Sequence, residues 1–300
     1  MINPTVSVIM PTYNAARYVT ASIDSALNQT YKSAEIIVVD DGSTDETVER
    51  VRAYGNRVTL YQQNNAGSAV ARNQGAKLAI GQWLAFLDAD DLWAPDKLER
   101  QLNHVSDLAW SHTDWFFIGT GQSGTITGSS RAPQYGGSIL PELIVCNFIG
   151  TSTLIVRREV FLEMGGFDPT LRALQDWDLW LRIASKYDLA YLADPLVYYR
   201  VHALSTSRSP RKTEPYHLEL IKRTFAPDGV GASMPHLRKR ALASSYGTLT
   251  VIGEESRDYR FALRCAIRST WHYPWEIYRW KSILRIALLA TMSLLRNDQG

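Results

Sequence analysis

The chain has 300 residues, 45% apolar and 21% charged, with a net charge of +2, which is an ordinary globular make-up with room for one large domain or two modest ones. Cys146 and Cys265 are the only cysteines; they exclude a disulfide framework and a zinc site, and they make a reducing, cytoplasmic compartment the expectation. The charge is unevenly spread: residues 205–300 hold 16 Lys and Arg against 8 Asp and Glu, while residues 1–204 hold 16 against 22, so a basic tail on an acidic body points to an anionic partner, a membrane surface or a nucleic acid.

Met1-Ile2-Asn3-Pro4 run straight into a strand without a signal peptide. The pattern then alternates. Val6–Thr12 reads as a strand, and Asn14 is placed to cap a helix from about Ala15 to Asn28, with Tyr18, Val19, Ile23, Ala26 and Leu27 on its apolar face. Glu35–Asp41 is a second strand; Ser43 and Glu46 form a capping box for the next helix. Val58–Gln62 is a third strand, and Ala69–Ile80 a helix that stops at Gly81. Trp83–Leu87 is an uncharged, buried strand. This order predicts a single, mostly parallel sheet covered on both faces.

A helix follows Pro95 to about Val105. Gly119–Gly137, rich in Gly, Ser and Thr, reads as a loop or hairpin. Thr153–Val156 is a short strand, Glu159–Met164 a short helix, Gln175–Lys186 a longer one, and Leu189–Val201 an extended segment. A boundary falls near Ser205–Pro215, beyond which the chain is basic and mainly helical. Trp271, Tyr273, Trp275, Tyr278 and Trp280 are interleaved with Arg268, Arg279, Lys281 and Arg285. That pattern suits a helix lying in a membrane interface, and equally a helix packed on the core or at a dimer contact. The longest apolar run, Ile286–Leu295, is too short to cross a bilayer. No motif supports nucleic-acid binding.

The chemistry concentrates at strand ends. Asp88, Asp90 and Asp91 follow the strand at Trp83–Leu87, where open α/β sheets bind ligands. Alternation puts Asp88 and Asp90 on one side and Ala89 on the other. Two such carboxylates suit Mg²⁺ or Mn²⁺ carrying a phosphate, although an isolated D-x-D also serves as a solvated, helix-capping turn. Asp40-Asp41-Gly42-Ser43 ends the second strand, where a carboxylate accepts from a base or a ribose hydroxyl. No G-x-G-x-x-G or Walker loop follows a strand, which weakens dehydrogenase and nucleoside-triphosphatase readings. Phosphate charge would fall to a metal on Asp88 or Asp90, helped by Arg72. Asp176 and Asp178 form a second acidic site near a helix N-terminus, where the helix dipole favours negative charge. His202 ends the last extended segment, placed for a third metal ligand.

Seven segments in order, Val6-Ser-Val-Ile-Met-Pro-Thr-Tyr-Asn14, Val38-Val-Asp-Asp-Gly-Ser-Thr-Asp45, Ala71-Arg-Asn-Gln-Gly75, Phe86-Leu-Asp-Ala-Asp-Asp91, Gly165-Gly-Phe-Asp168, Gln175-Asp-Trp-Asp-Leu-Trp-Leu-Arg182 and Tyr199-Arg-Val-His202, resemble the family 2 glycosyltransferases, inverting A-type enzymes that use nucleotide-sugars. The resemblance covers about residues 5–205. It implies an α/β, Rossmann-like catalytic domain over 1–204, with a nucleotide-binding half (1–105) and an acceptor-binding half (106–204), before a C-terminal extension over 205–300. It implies that Pro11, Tyr13 and Asp41 line the base pocket, that Asp88 lies near the ribose and diphosphate, that Asp90 holds Mn²⁺ or Mg²⁺ with His202 close to the metal or diphosphate, and that Asp176 is the catalytic base. Gln175 stands where the family often has Glu. The activity implied is metal-dependent hexosyl transfer from a nucleoside-diphosphate sugar, UDP-linked, to a hydroxyl of a glycan or lipid-linked acceptor in envelope or exopolysaccharide synthesis. The enzyme would be cytoplasmic, peripheral on the inner face of the cytoplasmic membrane. The alternatives are a non-catalytic nucleotide-sugar- or carbohydrate-binding relative and a sugar nucleotidyltransferase.

Overall fold

A computed structural model of the chain describes residues 5–119, 121–202 and 209–297. Two compact units are present, Met1–Ile139 with Phe148–His202, and Leu140–Asn147 with Ala203–Gly300. Leu140–Asn147, which the sequence places within 106–204, is thus grouped with the second unit.

The first unit is built on β1 (Val6–Thr12), α1 (Val19–Leu27), β2 (Ala34–Asp40), α2 (Thr47–Arg52), β3 (Thr59–Gln62), α3 (Ser68–Leu78) and β4 (Trp83–Phe86). The strands lie in the order β3-β2-β1-β4 and all three pairings are parallel. β4 is an unbroken apolar run, and β1 is apolar but for the buried Ser7 and Thr12, because both faces of the sheet are covered. Val6, Val8 and Met10 pack in one cluster with Val19, Ile23 and Ala26 of α1. On the opposite face Ile9 meets α3 at Gly75, where a Cβ would lie 2.5 Å from Ile9 Cγ2; only glycine lets helix and strand approach this closely.

Beyond β4 the sheet becomes mixed. It continues as β8 (Ile155–Arg157), β6 (Trp110–Gly119), β9 (Leu189–Val201) and the short β5 (Leu92–Trp93), while β7 (Gln122–Thr127) forms a hairpin with β6. β4–β8, β8–β6 and β5–β9 are antiparallel, and β6–β9 is parallel. The architecture is α/β, with the parallel half carrying the Rossmann-like character. α4 (Lys97–Val105), α5 (Gly128–Arg131), α7 (Arg158–Glu163) and α8 (Gln175–Ala184) complete this unit.

Two capping expectations fail. α1 begins at Val19 rather than near Ala15, and Asn14 takes φ 48°, its side chain accepting the Thr44 N–H at 2.8 Å. Ser43 caps no helix: it donates to Asp40 and accepts the Asn14 N–H at 2.9 Å, while α2 starts at Thr47 behind the Asp45 carboxylate. Both side chains tie the end of β1 to the end of β2 across the sheet, and this use outweighs local capping.

The second unit is helical: α6 (Leu140–Val145), α9 (Pro210–Thr224), α10 (Arg238–Glu255), α11 (Tyr259–His272) and α12 (Ile277–Asn297). Tyr246 and Leu249 of α10 pack on Phe261 and Cys265 of α11. Asp258 caps α11 by accepting the Phe261 N–H. Among the described residues, no helix is long and apolar enough to cross a membrane.

Candidate active site

β1 and β2 end level, with Thr12 in register with Asp40, and β4 ends at Phe86, in register with Ile9, so that the residues after it run alongside the end of β1. Thr12–Asn14, Asp40–Ser43 and Asp88–Asp91 therefore share the carboxyl edge of the sheet, where α/β folds bind ligands.

The acidic segment is a turn, closed by the Asp91 N–H on the Asp88 carbonyl at 3.0 Å. Asp88 and Asp90 are partly exposed, and Ala89 and Asp91 are buried; the strand that was expected to alternate them has ended at Phe86. α1 holds the turn from below, where the Ser22 hydroxyl donates to the carbonyls of Ala89 and Asp91 at 2.8 and 2.7 Å. Asp91 faces inward. One oxygen accepts the Ser152 hydroxyl at 2.6 Å and the other the Arg200 N–H at 2.8 Å, and Ser152 also accepts the Asp88 N–H. Asp91 thus ties the turn to the end of β9, the strand that delivers His202. Its carboxyl is pushed well above the usual range, first by burial and then by the neighbouring Asp90 and Asp88.

His202 lies with Nε2 2.7 Å from Asp90 Oδ2 and its ring stacked on Tyr18. Arg200 donates through Nε to the Asp90 carbonyl at 2.8 Å. Burial, then the charge of Asp88, raises the Asp90 carboxyl. Among the described residues no three His, Cys, Asp or Glu side chains converge as a closed metal cage. An open pair fits a divalent ion that takes one or two protein ligands and completes its shell with phosphate and water. Asp90 and His202 form such a pair, and the crowded carboxylates are what a cation relieves.

Arg72, in α3, is buried and reaches Asp88 at 2.5 Å. Its Nε is buried with no hydrogen-bond partner among the described residues, the property of a group built to meet an anion. The next residue, Asn73, makes a reciprocal pair with the Phe167 backbone, Nδ2 to the carbonyl at 2.7 Å and Oδ1 from the N–H at 2.9 Å. Gly166 permits it: with φ 68°, a Cβ there would lie 2.7 Å from Asn73 Oδ1.

Asp176 sits in the first turn of α8, directly after Leu174 and Gln175. Leu174 takes a left-handed conformation, φ 61°, uncommon for a bulky residue and of the kind that clusters at functional sites. Burial raises the Asp176 carboxyl; the Trp177 N–H and Arg72 pull it down, and Asp88 pushes it up again. Arg72 thus pairs with Asp88 and its charge also acts on Asp176, so both acidic motifs lie in the field of one guanidinium. Asp178 is otherwise engaged, paired with Arg182, which also donates to the carbonyls of Met164 and Gly166.

Asp41 is buried. It accepts from Gln63 Nε2 and from the N–H groups of Ala66 and Gly67, each at 2.8 Å, and so shapes the 63–67 loop. Pro11 is partly buried beside it and Tyr13 is 53% exposed at the rim. Ser152, Asn73 and Ser22 are polar residues of this edge to which the sequence assigned no role. Asn73 stands inside a recognised motif, but Ser152 and Ser22 carry no local signal, since their partners lie more than 60 positions away.

Residues 7–163 match the family described as Glycosyl transferase family 2. An uncharacterized glycosyltransferase of Rickettsia conorii is 29% identical over 300 residues, 98% of this chain and 48% of its own length. The Escherichia coli enzyme WfaP, UDP-Glc:alpha-D-GlcNAc-diphosphoundecaprenol beta-1,3-glucosyltransferase, is 33% identical over 239 residues, 77% of this chain and 88% of its own. The chain spans half or less of the length of the first relatives it matches, 48% of the R. conorii protein and 36% of one from Rickettsia felis. Among solved structures, the Pyrobaculum calidifontis mannosyltransferase PcManGT in complex with GDP-Man and Mn²⁺ aligns with a TM-score of 0.59 at 19% identity, covering 98% of this chain and 88% of that one, a likeness of fold.

Proposed function

The chain belongs to glycosyl transferase family 2, and on that premise we propose that it transfers a hexosyl group, with inversion, from a nucleoside-diphosphate sugar to a hydroxyl of a glycan or lipid-linked acceptor. The observation that carries this reading is the buried Arg72 paired with Asp88 at the carboxyl edge of the sheet, with Asp176 within electrostatic reach of both. A UDP donor and a lipid-linked acceptor of an envelope or exopolysaccharide pathway are supported by the WfaP likeness, and a divalent metal by the Mn²⁺ in PcManGT.

In the reaction proposed, the acceptor hydroxyl gives its proton to the Asp176 carboxylate as its oxygen attacks the anomeric carbon. The bond from that carbon to the donor phosphate breaks on the opposite face, and its electron pair leaves with the nucleoside diphosphate. An α-linked donor thus yields a β-linked product. Burial raises the basicity of Asp176, and that suits a proton acceptor. Arg72, with one nitrogen on Asp88 and a buried Nε in reserve, meets the charge of the leaving diphosphate. Asp41 keeps the 63–67 loop in place beside Pro11 and Tyr13, which flank the base. When bound at Asp90 and His202, Mn²⁺ or Mg²⁺ supplies further stabilisation of the leaving group.

Thermal shift against UDP, GDP and their sugar conjugates, with Mn²⁺ and with a chelator, tests the donor side, because a ligand of the native state raises its stability by mass action. A Mn²⁺-dependent shift for one nucleotide, reduced in Asp90→Ala to its chelator value, is expected. No shift with any nucleotide from a folded protein overturns the reading.

A further inference from the structure

Among the described residues, helix α12 has two apolar faces, one packed and one exposed. Ile283 and Ile286 pack inward on Ala262 and Ala266 of α11, and Arg279 also turns inward, to the Ala243 carbonyl at 2.9 Å. On the outer side Ile277, Trp280, Leu284, Leu288 and Met292 recur every three or four residues, the spacing of one stripe along a helix. All five are exposed, Leu284 at 73% and Leu288 at 62%. Trp271, at the end of α11, and Trp275, in the link between the helices, are the most exposed of the large apolar residues, at 84% and 82%, and the Trp280 indole donates to the Pro274 carbonyl of that link at 2.9 Å. Single exposed apolar residues are ordinary, but a continuous stripe marks a contact surface.

Charge selects the partner. From Tyr259 to Asn297 the chain has seven Arg and Lys residues against one acid, Glu276. Lys281 is exposed and lies within the apolar stripe, next to Trp280. A two-fold pairing of this face with a second copy would set the same patch against itself and bring Lys281 towards its own copy with no acid on the stripe to offset it. A nucleic acid would gain nothing from Leu284, Leu288 and Met292. An anionic bilayer satisfies every element: leucines enter the acyl boundary, tryptophans sit at headgroup level, and a lysine reaches back to the phosphates. We propose that the outer face of α12, with Trp271 and Trp275, binds the surface of an anionic lipid bilayer, the helix lying flat over a length of about 30 Å.

The inference extends the reading of a lipid-linked acceptor, yet either can fail without the other: vesicle binding needs no sugar donor, and transfer to a soluble acceptor needs no vesicle. The whole chain is sedimented with vesicles of phosphatidylglycerol and phosphatidylcholine, and with phosphatidylcholine alone. Binding to the anionic vesicles is expected, weakened by salt. Lys281→Glu should weaken it about fivefold or more. Leu284→Glu with Leu288→Glu should weaken it about tenfold or more, at an unchanged melting temperature because both positions are exposed; Trp275→Ser supplies the same test should that pair disturb folding. The inference is overturned by equal sedimentation of wild type and variants, by no sedimentation with anionic vesicles, or by a wild-type dimer that the leucine variant turns into a monomer while vesicle binding is absent.

Discussion

The carboxyl edge of the first unit and the outer face of α12 expose opposite kinds of chemistry. At the sheet edge, polar groups are drawn inward and bound to one another over long stretches of chain: Asp90 to His202 across 112 positions, Asn73 to Phe167 across 94. On α12 the polar Arg279 is turned in and the leucines are left out. In the first unit function is read from what converges, because burying an acid or arginine is costly unless partners repay it. In the second it is read from what stays exposed without a fold-level reason. Changes at the sheet edge should therefore act through chemistry or stability, and changes on α12 through location.

The largest effect should come from the residue whose task is chemical. Asp176→Asn keeps shape and removes the base, so kcat should fall about 10³-fold, while the nucleotide-induced thermal shift stays at its wild-type value. A variant that turns over normally would move the base elsewhere. The same substitution should leave vesicle binding unchanged, which separates the two regions.

Acid stability compares the units on equal terms, since each holds one buried neutral histidine. His112 in β6 and His217 in α9 are both pushed down to about 4 by burial. Unfolded, each titrates near 6.5, so between these values the unfolded chain binds more protons and stability falls as pH falls. The loss is complete below about pH 4 and is on the order of 3 kcal/mol per histidine. Denaturant melts at pH 7 and pH 4.5 measure it. His217→Gln should remove the larger part of the helical unit's contribution, His272 in α11 being held below its usual value by burial as well, and leave that of the sheet unit; a variant with unchanged pH dependence would place the burden on other groups.

A smaller loss, about 2 kcal/mol, is expected for Asn73→Ala, which leaves the Phe167 N–H and carbonyl without their partners, and a chemical melt reads it directly. This residue also marks how far the sequence could be read. β1 and β9 were legible to the residue, because long apolar or extended runs bounded by polar turns allow little else. The carboxylates at the end of β4 and the first turn of α8 were legible as types, since acid at those positions serves either a turn or a ligand. What escaped was pairing at a distance. Asn14 and Ser43 looked like helix caps and proved to be cross-strand ties. Asp91, to which the pattern gave no separate role, is a buried tie between the turn and β9, while Asp178 belongs to Arg182. Backbone partners tens of residues away leave no periodic trace, so the pattern names the acids without dividing them into those that face the ligand and those that hold the frame.

The subtlest test concerns Gln175, next to Asp176 at the start of α8. Burial already raises the Asp176 carboxyl, so a rate that needs its ionised form should rise with pH through a limb lying above the ordinary aspartate range. Gln175→Glu adds a like charge beside it and disfavours ionisation further, which moves that limb to higher pH. Below the limb the variant should be slower than wild type, because less of the base is ionised. Above it the two should agree within about threefold, since a slightly stronger base offsets little else. The pH profile of kcat/KM decides the matter. An unmoved limb would mean either that residue 175 is screened from Asp176 by solvent or that the limb belongs to another acid, and Asp176→Asn separates these: if the limb persists in its residual activity, the titrating group is not Asp176. Both substitutions lie in α8 and leave the sequence of α12 unchanged, so vesicle binding at fixed pH should be the same for both, and a change there would couple the two regions.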